Sequence, residues 1–270
     1  MTDTSLATDV ALAEQVMLRG DYREALRQTE SIFEQVGDDA GRNPGLLATA
    51  HYIRGVCRTE LRQLAGAIAD FQLAAQLEAR GDGDARAMLR IKGYLAVAYD
   101  YDGQSRQAER IFRESAEGWR ELEGERAVEY GRALSSLGVN LEMQGKCDEA
   151  LRVLRSAIEV LEDASPTDQG LQTSWSARGN CASRVGDLEG AIEAYGRGLS
   201  LVPEGDGTAS RAAVLHHNLA FALAEAGRTE RALVHARQTV EIRTRLLPAD
   251  HPWRLESEAL LERLEAGRGD

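Results

Sequence analysis

Six alanines recur along this chain at nearly equal steps: Ala25, Ala67, Ala108, Ala150, Ala191 and Ala232, separated by 42, 41, 42, 41 and 41 residues. Twelve positions before each stands a small residue: Ala13, Gly55, Ala96, Gly138, Gly179 and Ala220. Five positions before each stands a glycine (Gly20, Gly103, Gly145, Gly186 or Gly227), except in the second unit, where the position holds Arg62. A fixed period of this length is the signature of a solenoid, in which each unit buries its apolar face only against its neighbours. The period bears on function too, because stacked helix pairs form a long groove suited to binding another chain.

Within each unit the apolar spacing reads as two amphipathic helices, A and B, joined at the glycine. In the fourth unit Leu134, Leu137, Gly138 and Leu141 follow the i, i+3, i+4, i+7 stripe of helix A. Gly145-Lys146-Cys147-Asp148 makes the turn, and Ala150, Leu151, Leu154, Ala157, Ile158 and Leu161 form the stripe of helix B. Gly138 and Ala150 fall where the helices cross, and a missing side chain there lets the backbones approach to the short end of ~8–10 Å. The links Gly37 to Gly45, Gly81 to Asp84, Ser165 to Gly170 and Pro203 to Gly207 read as helix stops and starts, not domain linkers. The expected organisation is one solenoid over 1–270, with units at about 6–40, 48–80, 89–123, 131–163, 172–203 and 213–247. Pro248-Ala249-Asp250-His251-Pro252 then breaks the chain. Asp250 or His251 is placed to cap a last helix over 252–267 that covers the end of the stack.

Composition removes several classes of function. The net charge is −12, with 44 acids against 32 bases and no Lys/Arg stripe, so no nucleic-acid partner is expected. The N-terminus lacks a basic segment followed by an apolar one, and no apolar run approaches the ~18 residues of a spanning helix. No membrane association is expected. Cys57, Cys147 and Cys181 are odd in number and form no CxxC, which reads as reduced thiols of a cytoplasmic protein. None of the glycine-rich, nucleophile-elbow or zinc-protease motifs occurs, so no enzyme is expected. His216 and His217 are neighbours about 100° apart on a helix and do not share a face. With His235 or His51 they show no ligand spacing, so neither metal nor cofactor is expected.

The fifth unit carries Trp175, Gly179, Ala191, Tyr195 and Pro203, the second Gly55, Ala67, Phe71 and Ala74, and the third Ala96, Tyr99, Ala108 and Phe112. These residues resemble the tetratricopeptide repeat, with its W-x2-L-G-x2-Y, A-x3-F and P pattern. The ~41-residue period is longer than that family's usual 34, and is similar to kinesin-light-chain and bacterial peptide-sensing repeats. Leu247-Pro248-Ala249-Asp250-His251-Pro252 and His217-Asn218-Leu219-Ala220 resemble segments of the light-chain type. The resemblance implies an all-α, right-handed α-solenoid of six such helix pairs plus a C-terminal capping helix. It also implies a concave face lined by fixed helix A positions, here including Tyr52, Arg90, Asp100, Arg132, Glu142, Asn180, Arg184, His217, Asn218 and Phe221. Asn180 and Asn218 match two asparagines of the family's carboxylate-clamp pattern, but Ser176 replaces its lysine. Arg90 and Arg132 are placed to receive a carboxylate, or else to be solvated or to pair with Asp100 and Glu142; Phe71, Phe112, Tyr195 and Tyr99 read as core. The function so implied is a non-catalytic interaction module or scaffold that holds a segment of a partner protein or peptide in its groove. Two alternatives stay open: a regulatory peptide or small-molecule sensor acting through a separate effector, and a self-assembling homo-oligomer.

Overall fold

The computed structural model describes residues 3–36, 43–81, 83–203 and 205–267. The Gly37 to Gly45, Gly81 to Asp84 and Pro203 to Gly207 links, and the end of the first unit, therefore lie partly outside the described residues. Every element found is an α-helix, and the chain divides into two compact units, Met1–Gly124 and Glu125–Asp270. The first unit holds three pairs: α1 (Asp3–Leu18) with α2 (Tyr22–Val36), α3 (Pro44–Glu60) with α4 (Leu64–Arg80), and α5 (Ala85–Tyr101) with α6 (Ser105–Glu123). The second holds α7 (Val128–Met143) with α8 (Cys147–Ala164), α9 (Gln169–Arg184) with α10 (Leu188–Ser200), and α11 (Asp206–Glu225) with α12 (Thr229–Leu246). A last helix, α13 (Pro252–Ala266), packs on α12. Within each unit every pair packs on itself and on the next, which is the solenoid arrangement. Among the described residues no helix is long and apolar enough to cross a membrane.

Helices A start three to seven residues before the expected boundaries, and the starts carry local signals. Pro44 sits in the first turn of α3, and the side chains of Asp84 and Asp168 accept from the backbone N–H of Arg86 and Gly170. Of the two candidates for capping α13, His251 does so: its Nδ1 accepts from the Trp253 N–H at 3.2 Å.

The small-residue period has a steric cause. All six repeat alanines, and Ala13, Ala96 and Ala220, are completely buried. Where the preceding position is glycine, a Cβ would come within 2.7 Å of the Phe71 ring at Gly55, 2.4 Å of Leu154 at Gly138 and 2.5 Å of the Tyr195 ring at Gly179. These three side chains each stand four residues after the unit's alanine, so a large residue of helix B fills the notch that glycine leaves in helix A. The first and sixth units pair alanine with the smaller Thr29 and Ala236. Nothing in the structure explains why the third tolerates both Ala96 and Phe112.

The turn glycines are equally specific. Gly20, Gly103, Gly145, Gly186 and Gly227 all have φ between 72° and 84°, a left-handed conformation. Arg62, the exception in the period, is forced into the same conformation with φ 61°, the one such non-glycine among the described residues. Its guanidinium lies 4.1 Å above the Tyr101 ring. Left-handed backbone costs a side-chain-bearing residue ~1–2 kcal/mol, and an exposed cation–π contact returns ~0.5–1 kcal/mol. Arg62→Gly is expected to raise the stability of the first unit by roughly 0.5 kcal/mol in thermal unfolding. A fall in midpoint would show that the Tyr101 contact outweighs the strain.

Two repeat positions, four before the small residue and three after the alanine, carry polar pairs that join helix A to helix B. In the second pair they are His51 and Asp70, with Nδ1 3.0 Å from Oδ1. Arg54 and Arg58 add bonds to the same carboxylate at 2.6 and 2.7 Å. In the sixth pair the positions are His216 and His235, whose Nδ1 atoms lie 2.9 Å apart. Burial, and then His235, push the His216 pKa down to about 4. A histidine held below its unfolded value stabilises the fold at neutral pH, and that stability is lost as pH falls. The second unit is therefore expected to weaken between about pH 6.5 and 4, and His216→Gln to make that slope shallower in pH-dependent denaturation.

Candidate functional site

Helices α9 and α11, both helices A of the second unit, form the walls of a groove of about 300 Å3. Asn180, Ser183 and Arg184 come from α9, His217, Asn218 and Phe221 from α11, and Tyr195 from α10 closes the floor. Five of the residues expected on a binding face, Asn180, Arg184, His217, Asn218 and Phe221, thus come together in one place.

The floor is a hydrogen-bonded chain. Tyr195 donates its hydroxyl to Asn180 Oδ1 at 2.9 Å, and Asn218 donates to the same oxygen at 3.3 Å. Tyr195 reads in the sequence as a core aromatic, and its ring is indeed buried, but its hydroxyl reaches the groove. Burial raises its pKa, so the phenol stays protonated and able to donate. Phe221 is 44 % exposed, a large apolar ring standing in the groove wall. His217, on the same helix as Phe221, has its Nε2 3.8 Å from a Glu256 oxygen on α13. Burial, then Arg243, lower its pKa, with Glu256 opposing them, so the imidazole is neutral near pH 7.

Glu142 reaches the groove indirectly. Its carboxylate is 2.9 Å from Arg184 Nη2, and Arg184 Nη1 donates to its backbone carbonyl at 2.7 Å. The two residues are 42 apart, one repeat period, so opposite charges at that interval are a signal that the sequence contained. Ser183 and the Tyr195 hydroxyl are the lining groups that sequence reasoning missed.

The remaining expected residues lie elsewhere. Arg132 makes bonds of 2.8 and 2.6 Å to Oδ2 of Asp168, the residue that caps α9, and lies 3.6 Å from Glu129. In the first unit Arg90 lies 5.8 Å from the Tyr52 ring, which also meets Tyr94 edge-on at 5.4 Å. Asp100 accepts from the Ser105 hydroxyl at 2.8 Å, across the turn between α5 and α6. Among the described residues no group of three or more His, Cys, Asp or Glu is placed to hold a metal ion.

Two models of the tetratricopeptide repeat match the chain, over residues 87–163 and 217–252. These two segments are tetratricopeptide repeats. The first match spans the third and fourth helix pairs, and the second runs from His217, within α11, through α12 to Pro252. No curated protein matches the sequence. Among solved structures, BtubC (BKLC) from P. vanneervenii superposes with a TM-score of 0.67 at 16 % identity, covering 93 % of this chain and 95 % of that one. The putative kinesin light chain nearly identical TPR-like repeats of Podosopora anserina give 0.57 at 20 % identity, with 68 % and 88 % covered. The apo quorum sensor NprR from B. thuringiensis gives 0.71 at 14 % identity, with 99 % and 71 % covered. At these identities the likeness is one of fold.

Proposed function

We propose that this chain is a non-catalytic protein-interaction module that holds an extended segment of a partner in the groove between α9 and α11. The observation that carries the reading is the Asn180–Asn218 amide pair beside the exposed Phe221 ring. An extended chain needs amide donors and acceptors along its backbone and a surface for its side chains, and this arrangement supplies both. A rigid, preformed groove also confines the ordering cost to the ligand. The fold shared with a quorum sensor supports a second form of the same reading, a regulatory sensor of peptides. A ligand-induced fall in radius of gyration would favour that form.

Extended peptides selected by display on the wild-type protein provide the test. Asn218→Ala combined with Phe221→Ala is expected to weaken their binding roughly 30- to 100-fold, the loss of ~2–3 kcal/mol for an amide contact and an aromatic anchor. Tyr52→Ala in the first unit is expected to leave it unchanged. Undiminished binding by the double variant would remove the groove from the function.

A further inference from the structure

Glu142, near the end of α7, has a side chain only 8 % exposed, while its partner Arg184 is 52 % exposed and lines the groove. The guanidinium therefore has one side tied to a carboxylate kept from water and another open to a ligand. Among the described residues lining the groove, Arg184 is the one permanent cation and none is a carboxylate; the others offer hydroxyls, amides, an imidazole and a phenyl ring. In a chain of net charge −12, this groove thus carries a cation and no carboxylate among its described lining. The chemistry it suits is a carboxylate, from either an acidic side chain or the C-terminus of the bound segment.

The difficulty for such a ligand is that Arg184 already has a partner. We propose that Glu142 is an internal counter-ion that yields Arg184 to a carboxylate of the bound segment and takes up one proton from solvent in exchange. This rests on the groove reading above. Burial pushes the Glu142 pKa up, and Arg184 and then an Asn180 hydrogen bond oppose that push. Drawing Arg184 away removes the larger of the two opposing influences and leaves a carboxylate whose burial favours its protonated form. Among the described residues, the titratable groups facing Glu142 include Arg184 and Cys181 on α9 and Tyr195 on α10, with Cys147 of α8 beside Cys181. Burial raises the Cys181 and Tyr195 pKa values, which keeps both neutral across the relevant range. Of these groups Glu142 is the one with a proton to gain, and His217 of the groove is the competing acceptor.

Binding that takes up a proton strengthens as pH falls, by at most tenfold per pH unit for one proton. The probes are acetyl-pentaalanine with a free C-terminal carboxylate, the same peptide as its C-terminal amide, and that amide with a central Asp. They are titrated into the full chain at pH 7.5 and 6.0 and followed by the NMR signals of the Arg184 and Asn218 side chains. Calorimetry in buffers of different ionisation enthalpy counts the protons.

The carboxylate-bearing peptides are expected to bind at least tenfold more tightly than the neutral amide, and about three- to tenfold more tightly at pH 6.0 than at 7.5. The free-terminus and Asp peptides separate the two sources of the carboxylate. Glu142→Gln is expected to bind more tightly than wild type at pH 7.5 and to lose the pH dependence. If that variant keeps the slope, the proton belongs to His217 and the proposal falls. Carboxylate binding with no proton uptake overturns the exchange and leaves the groove reading standing, whereas equal binding by the neutral amide, or none by any peptide, overturns the exchange as stated. Arg184→Gln is an independent check: without ligand, its Glu142 carboxyl should titrate at higher pH than in wild type by 13C NMR, and an unmoved titration would sink the idea.

Discussion

Asp70→Ala is expected to destabilise the first unit by about 3 kcal/mol, a substantial share of a domain's stability. The Asp70 side chain is 3 % exposed and accepts from His51, Arg54 and Arg58. Removing it leaves two arginines, 17 % and 23 % exposed, without the carboxylate that neutralises them. The loss should fall at the low end of the range for broken buried pairs, because Arg58 also lies 4.0 Å from Glu30 and both stems can extend towards water. Burial by itself would raise the Asp70 pKa, but His51, Arg54 and Arg58 outweigh it and hold the group below the usual carboxylate range. The sign follows: a depressed carboxylate contributes stability that is present above its unfolded pKa of ~4 and lost as pH falls through its lower folded value. Wild type and Asp70→Ala should therefore converge in stability in strong acid. Hydrogen exchange gives the clearest readout, because repeat proteins need not unfold in one step. Protection should fall in α3, α4 and the helices packed on them, while α7 to α13 keep theirs. Unchanged protection in α3 and α4 would mean that the cluster is solvated and contributes little.

The same cluster shows what a periodic sequence conceals. The backbone was legible because it is enforced at recurring positions by absent side chains: Ala150 and its counterparts in the period are buried where two helices cross, and Gly145 and its counterparts turn where a side chain would strain. Even the irregular position, Arg62, carried information, since it adopts the glycine conformation its neighbours in the period predict. Polar partnerships are a different matter, because they are set between repeats by side-chain reach. Arg132 finds Asp168 at a separation of 36 residues, short of a full period, because Asp168 caps the next helix A. Arg184 and Glu142, at 42, could be found by searching for opposite charges one period apart. Tyr195 was hidden for another reason: one side chain supplies both a core ring and a groove hydroxyl, and the A-x3-F pattern speaks only for the ring.

If glycine at Gly138 exists to make room for Leu154, the effect of adding a methyl there must change sign with the residue opposite. In the wild-type background Gly138→Ala gains ~1 kcal/mol of helix propensity but places Cβ where Leu154 Cδ2 would be 2.4 Å away. Relieving that overlap in a packed core costs ~1–3 kcal/mol, so a net loss is expected. Leu154→Ala alone should cost ~2–5 kcal/mol, since Leu154 is wholly buried and its removal leaves a cavity. With Leu154 gone the methyl meets no clash and fills part of the cavity, so Gly138→Ala should then stabilise by about 1 kcal/mol. The coupling between the two sites is expected at roughly 2–3 kcal/mol, well above the few tenths seen for independent positions. Chemical denaturation of the two single variants and the double variant measures it. Additive losses would show that α7 and α8 can shift apart without penalty, and that the alternation of Gly55, Gly138 and Gly179 with Phe71, Leu154 and Tyr195 has some cause other than the fit of helix B into helix A.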